Sequence, residues 1–195
     1  MNLSRGSPTP LVKTMPDHDE RLAIRCLLGE AAAFDELIAR WHPGVWRYAR
    51  RMTGSDDAAD DVAQDVWLRV VRGLPRLDDP ARIRAWIFGI ARRVLMDRLR
   101  ARYATPAMAE VELDTLEQTP TEDDDLEARL AEVETALAAL PVIERDVLAL
   151  FYLDELSLAE VAAVVGVPVG TVKSRLFRAR QLLRAAVSQA PGYER

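Results

Sequence analysis

Two stretches of this chain concentrate groups that bind anions. The first runs from Gly166 to Arg184, GVPVGTVKSRLFRARQLLR. It carries Lys173, Arg175, Arg178, Arg180 and Arg184 and no acid. Guanidinium groups at helical spacing can grip phosphate, and an arginine can also meet guanine bidentately, worth about 1–3 kcal/mol of discrimination. A helix N-terminus adds its free N–H groups and dipole to the attraction. Val172, Leu176, Ala179, Leu183 and Val187 make a buried stripe here. Thr171, Ser174, Arg175, Phe177, Arg178 and Gln181 occupy the opposite face. Phe177 lies off the stripe, so core packing does not explain it, and its edge can touch a thymine methyl. Arg178 sits in the centre of the outer face and can reach a base edge, whereas Arg175 is nearer the stripe and suits phosphate. A solvated basic helix end matching its own dipole is the simpler alternative, and it applies best to Arg180 and Arg184.

The second stretch, ARIRAWIFGIARRVLMDRLRAR from Ala81 to Arg102, sets seven arginines against Asp97 alone and interleaves Trp86 and Phe88. Arginines that track phosphates beside aromatic faces that stack bases suit single-stranded DNA. Ile83, Trp86, Ile87, Ile90, Val94 and Leu95 read as the packed side, and Arg84, Arg92 and Arg93 as exposed. A Trp86 packed in a helical core is the competing reading. Before this stretch, Asp57, Asp60, Asp61, Gln64 and Asp65 share a helix face that Leu68 continues. Acids in a first turn complement the helix dipole. That explanation covers Asp57 but not Gln64, Asp65 and Leu68, and a mixed acidic and apolar face points to a basic protein partner.

The elements that must hold these groups are helices. Phe34, Leu37 and Trp41 fall on one stripe. Ala59, Val62, Ala63, Val66, Trp67, Val70, Val71 and Leu74 form another, ended by Gly73 and Pro75. Leu126, Leu130, Val133, Leu137 and Leu140 line a third, and Pro141 opens a further helix through about Tyr152. Ser157 with Glu160 is a capping box, Gly166 supplies a positive-φ stop, and Pro168 suits the next first turn. Helix, tight glycine turn, helix is the helix-turn-helix unit.

Charge is unevenly distributed along a chain whose net charge is −5. Between residues 104 and 140, 11 acids face one base. The segment is poor in aromatics and reads as a linker that cannot bury enough apolar area to order itself. The expected architecture is all-α: two small helical domains joined by an acidic flexible linker, the second ending in the helix-turn-helix. The boundaries read as a tail over 1–18, a domain over 19–103, the linker over 104–125 and a domain over 126–190. Cys26 stands alone, which excludes an intramolecular disulfide and a cysteine-based zinc site. The apolar runs are too short to span a bilayer and the N-terminus lacks a signal-peptide core, so a cytoplasmic location without membrane insertion is expected.

With both modules read, the chain resembles the extracytoplasmic-function (ECF) group of bacterial sigma factors, which keep two of the conserved sigma domains. AFDELIARWHPGVWRYARRMTGSDDAADDVAQDVWLRVVRGL resembles the start of the first domain and its polymerase-binding helix. RAWIFGIARRVLMDRLR resembles the segment that melts the minus-ten element. LPVIERDVLALFYLDELSLAEVAAVVGVPVGTVKSRLFRARQLL resembles the domain that reads the minus-thirty-five element. The resemblance implies docking of Asp61, Gln64, Asp65 and Leu68 on the clamp helices of the RNA polymerase core enzyme. It implies minus-ten DNA at Arg82, Arg84, Trp86, Arg92 and Arg93, with a flipped base received by the loop from Gly73 to Arg82. It implies minus-thirty-five contacts by Lys173, Ser174, Arg175, Phe177 and Arg178, with Thr171 on the same face. The acidic linker would thread towards the RNA exit path. Partners are then the core enzyme, promoter DNA as duplex and as melted single strand, and an anti-sigma protein. Family members often carry Asn where Arg93 stands, which favours phosphate over base contact there.

Other classes fit less of the chain. A free-standing helix-turn-helix regulator explains residues 141–188 but neither the Leu68 face nor the arginine-rich segment, and it would need a dimer to read two half-sites. Two scattered histidines and one cysteine compose no catalytic triad or metal set. No catalytic residue, metal or cofactor is therefore expected, and Asp123, Asp124 and Asp125 read as a solvated linker run.

Overall fold

A computed structural model describes residues 17–104 and 132–188. Four helices come first: α1 His18–Leu27, α2 Ala31–Thr53, α3 Asp56–Gly73 and α4 Ile83–Ala104. Single 3-10 turns, Leu74–Arg76 and Pro80–Arg82, bridge α3 to α4. After a helical stretch over 132–138 come α5 Val142–Leu148, which runs into a π turn at Ala149–Leu153, then α6 Leu158–Val165 and α7 Val169–Ser188. No strand occurs among the described residues, and no described helix is long and apolar enough to cross a membrane. Leu126, Leu130, most of the expected tail and the acidic linker lie outside the described residues.

Local chemistry sets the helix ends. Ser55 caps α3 by accepting from the Ala58 N–H at 3.4 Å, with Asp56 and Asp57 in the first turn. The α2 helix stops at Gly54, whose φ of 80° is the left-handed cap that glycine adopts without strain. At the other end of the chain, Ser157 and Glu160 exchange both capping-box hydrogen bonds, at 3.2 and 2.8 Å, and Gly166 stops α6 at φ 73°.

Apolar stripes from both sets of helices meet in one cluster. Leu22, Leu37, Val45, Tyr48, Val62, Val66, Ile83, Ile87, Phe88 and Leu95 are buried together with Leu150, Leu156, Val161 and Val172. Phe88 sits at its centre, edge-on to Tyr48 with ring centroids 5.9 Å apart and to Trp41 at 6.3 Å. Gly44 lies beside this ring at ordinary contact distance. A Cβ there would stand 3.5 Å from the Phe88 ring and 4.0 Å from the Asp154 carboxylate. One member of the expected α3 stripe departs: Val71 is 50% exposed, at the rim of the helix rather than in the core.

Where the C-terminal helices meet α2 and α4, the contact is polar as well as apolar. Asp146 on α5 is 1% exposed. It accepts from Tyr48 Oη at 2.5 Å and from Arg92 Nε at 2.7 Å. Arg84 Nη2 donates to the Asp154 carbonyl at 2.5 Å, and Arg145 Nη1 to the Arg51 carbonyl at 3.4 Å. The Asp154 carboxylate is buried and accepts no hydrogen bond from the described residues. Burial pushes its pKa up to about 7 against the opposing pull of Arg51, Arg47 and Arg84. Burial likewise lowers the Arg51 pKa and, together with Asp146, holds the Tyr48 phenol well above its usual value, so that it stays a donor.

Two outcomes follow from this junction. Asp146→Ala strands Arg92 and the Tyr48 hydroxyl and should cost about 2–3 kcal/mol, somewhat below a fully buried pair because the Arg92 side chain is 23% exposed. Denaturant unfolding reads the loss, and small-angle scattering should show a larger radius of gyration; an unchanged profile would refute the latch. Asp154 gives a pH signature. Its pKa is raised in the packed state, so packing is most stable below the ordinary carboxylate pKa of 3.8. That contribution is lost as pH rises towards about 7, with no further change above it. Asp154→Asn should flatten the pH dependence of the unfolding midpoint over that window, and an unaltered slope would contradict the assignment.

Candidate nucleic-acid interface

The helix-turn-helix presents its outer face as the spacing predicts. Val172, Leu176 and Ala179 of α7 are buried, at 4% exposure or less, against α5 and α6. This packing turns Lys173, Ser174, Phe177 and Arg178 outward, with Thr171 and Arg175 half-buried at the edges. Phe177 is 59% exposed, an apolar ring displayed to solvent among cations. Ser174 Oγ donates to the Thr171 carbonyl at 2.9 Å, which leaves its lone pairs to accept from a ligand. Arg180 Nη1 donates to Tyr152 Oη at 3.1 Å, and the Arg178 guanidinium pairs through Nε with Glu144 at 3.3 Å. Gln181 is exposed beside Phe177, Arg180 and Arg184, and together they line a shallow groove.

The second basic surface is built around Trp86, near the start of α4. One cleft is lined by Arg76, Leu77, Asp78, Asp79, Arg82 and Trp86, and is closed on one side by Ala163 of α6. A second, lined by Arg69, Gly73, Arg76, Trp86, Ile90 and Arg93, adjoins it. The half-buried Trp86 ring lines both, and it comes so close to α3 that a Cβ on Gly73 would stand 3.1 Å away. Asp79 holds the loop by accepting from the Ala81 N–H at 3.1 Å. The loop from Gly73 to Arg82 and the Trp86 ring thus line two adjoining, arginine-rimmed clefts.

The arginines and aromatics of this segment divide in a way the sequence alone did not predict. Arg82 and Arg93 are exposed on the clefts. Arg84 and Arg92, expected to be free, are half-buried and engaged with Asp154 and Asp146. Phe88, expected among the interleaved aromatics, is 1% exposed in the core and cannot stack on a base. The α4 backbone turns Trp86 towards the loop and Phe88 into the helix packing. Conversely, Arg69 and Arg76 line the clefts although the sequence reading passed over them; their signal was the basic residues flanking the Gly73 turn.

The Asp61, Gln64, Asp65 and Leu68 face of α3 is present on the outside. Asp61, Gln64 and Leu68 are exposed, Leu68 by 47%, and Asp65 is half-buried. Arg98 of α4 lies against it, pairing with Asp65 at 2.6 Å and Asp61 at 3.6 Å. Asp60 instead accepts from Trp46 Nε1 at 2.7 Å.

Comparison with known proteins places this geometry in a family. The family model for Sigma-70 region 2 matches residues 37–105, and that for Sigma-70, region 4 matches residues 130–183. The chain is 35% identical over 170 residues to the ECF RNA polymerase sigma factor SigC of Mycobacterium tuberculosis (strain CDC 1551 / Oshkosh), covering 84% of this chain and 88% of that one. Its structure is similar to that of CnrH in complex with the cytosolic domain of CnrY. The TM-score is 0.68 at 29% identity, over 88% of this chain and 98% of CnrH. It also shares the fold of the sigma factor RpoE from Bartonella quintana, solved with the anti-sigma factor NepR. There the TM-score is 0.67 at 24% identity, over 80% of this chain and 97% of that one.

Proposed function

The chain belongs to the ECF sigma factors, which direct RNA polymerase core enzyme to promoters, and from that membership we propose how its surfaces divide the work. The α7 face reads the minus-thirty-five element as duplex, with Arg178 and Phe177 at base edges and Lys173 and Arg175 at phosphates. The Trp86 clefts receive melted minus-ten DNA. Arg82 and Arg93 supply charge there, and the loop from Gly73 to Arg82 takes a flipped base, whose extrusion costs a few kcal/mol that stacking and pocket contacts must return. Asp61, Gln64, Asp65 and Leu68 dock on the core enzyme. Residues 19–103 and 126–190 are the two functional units, joined by the acidic stretch. The observation that carries this reading is one chain with two separate basic surfaces, each with an aromatic ring among its arginines: Phe177 on α7 and Trp86 on α4.

Arg84 and Arg92 enter the reading differently. Both hold the C-terminal helices in the described arrangement, so minus-ten contacts by either require those helices to move away. RNA-synthesis chemistry belongs to the polymerase, and this chain acts as an initiation factor in the cytoplasm. An anti-sigma protein is a further proposed partner, and the CnrH structure, in which a relative is bound by a cytosolic protein domain, supports that reading.

Run-off transcription with core enzyme, with and without this protein, on fragmented genomic DNA tests the function as a whole; no promoter-specific transcripts would overturn it. Leu68→Glu should weaken core binding by tenfold or more. Its thermal stability should stay near wild type, since Leu68 is 47% exposed. Co-purification with core at wild-type level would remove Leu68 from the interface. Arg82→Ala combined with Arg93→Ala should reduce transcription from duplex promoters more than from a pre-melted bubble, and equal losses on both templates would assign these arginines to docking instead.

A further inference from the structure

We propose that Glu144 is a positioning residue for promoter reading, holding the Arg178 guanidinium by Nε so that its outer fork meets a guanine edge. The inference rests on the reading of α7 given above. Glu144 lies in the first turn of α5 and is 6% exposed. Its Oε1 stands 3.3 Å from Arg178 Nε, while the Arg178 side chain is 70% exposed. A buried carboxylate therefore pairs with the inner edge of an otherwise solvent-exposed cation. The ion pair is made at Nε, and the largely exposed side chain leaves the Nη1 and Nη2 edge open to a ligand. That fork matches the paired O6 and N7 acceptors of guanine in the major groove.

Charge supports the same assignment. Arg178 and Glu144 together are neutral, so the pair is a poor phosphate clamp, because phosphate affinity follows net local positive charge. Lys173 and Arg175 form no ion pair among the described residues and keep their full charge for the backbone. The buried glutamate thus separates one base-reading arginine from its phosphate-binding neighbours on the same helix. The sequence did not mark it, because Glu144 and Arg178 are 34 residues apart and belong to different helices.

The test is selection of promoters from a library with a randomised upstream element, using reconstituted holoenzyme with full-length wild type, Glu144→Gln, Arg178→Ala and the double variant. Glu144→Gln and Arg178→Ala should relax preference for guanine at the same base pair, by roughly tenfold, and the double variant should relax it no further. The salt dependence of binding should separate the two single variants. Glu144→Gln frees a cation for phosphate and steepens the slope by about one, and Arg178→Ala removes the cation and does not steepen it. A folding defect lowers the yield of bound DNA but does not change which base folded molecules select. As a second probe, Arg178→Lys keeps the charge beside Glu144 without the fork, and should lose the guanine preference at an unchanged salt slope. A wild-type selected sequence with Glu144→Gln, while Arg178→Ala shifts it, overturns the role of Glu144 alone. A wild-type selected sequence with Arg178→Ala overturns both this inference and the base-reading assignment of α7.

Discussion

Asp146 joins parts of the chain that are far apart in sequence. Its carboxylate takes a hydrogen bond from Tyr48, 98 positions away, and an ion pair from Arg92, 54 positions away, with almost no contact with solvent. A charge so placed must be matched, because an isolated buried carboxylate carries a desolvation penalty that no apolar contact offsets. The match fixes the geometry around it. Tyr48 must present its hydroxyl from α2, Arg92 must turn inward from α4, and α5 must lie across both. Phe88, Leu150 and Val161 then fall into one core.

The same junction decides which basic groups stand free. The α7 face points away from it and is open. The Trp86 clefts lie at its edge, with Ala163 of α6 against one of them. Arg84 and Arg92 lie within it. The interface is not uniformly well paired, since the Asp154 carboxylate oxygens and the Arg84 Nε are buried without hydrogen-bond partners among the described residues. Unpaired buried polar atoms make a contact less stable than its area suggests, so this packing is of a kind that a competing partner can open.

Electrostatics explains how a chain of net charge −5 can read DNA at all. Basic side chains gather on two surfaces, 11 acids are concentrated between residues 104 and 140, and Asp61 and Asp65 are tied to Arg98. Affinity for DNA without polymerase should be weak, because the whole-chain field opposes the local one. The division of labour between polymerase docking and promoter contact follows from that balance.

Much of the local structure was legible in the residues themselves. The capping box at Ser157 and Glu160, the glycine stop at Gly166 and the outward face of α7 all depend on side chains within a few positions of one another. The two arginine-rich surfaces and the acidic middle were legible for the same reason, since composition and helical period are local quantities. What only the tertiary structure decided were pairings across distance. Phe88 proved to be core and Trp86 the cleft wall, although both lie on one helix and have similar neighbours. Val71 reached solvent despite fitting the apolar period. Arg92 turned to Asp146 while the adjacent Arg93 stayed outside, and Glu144 reached across to Arg178. In each case the outcome is set by which other helix lies against the residue, and helical period ranks the faces of a helix without naming the partner that will cover them.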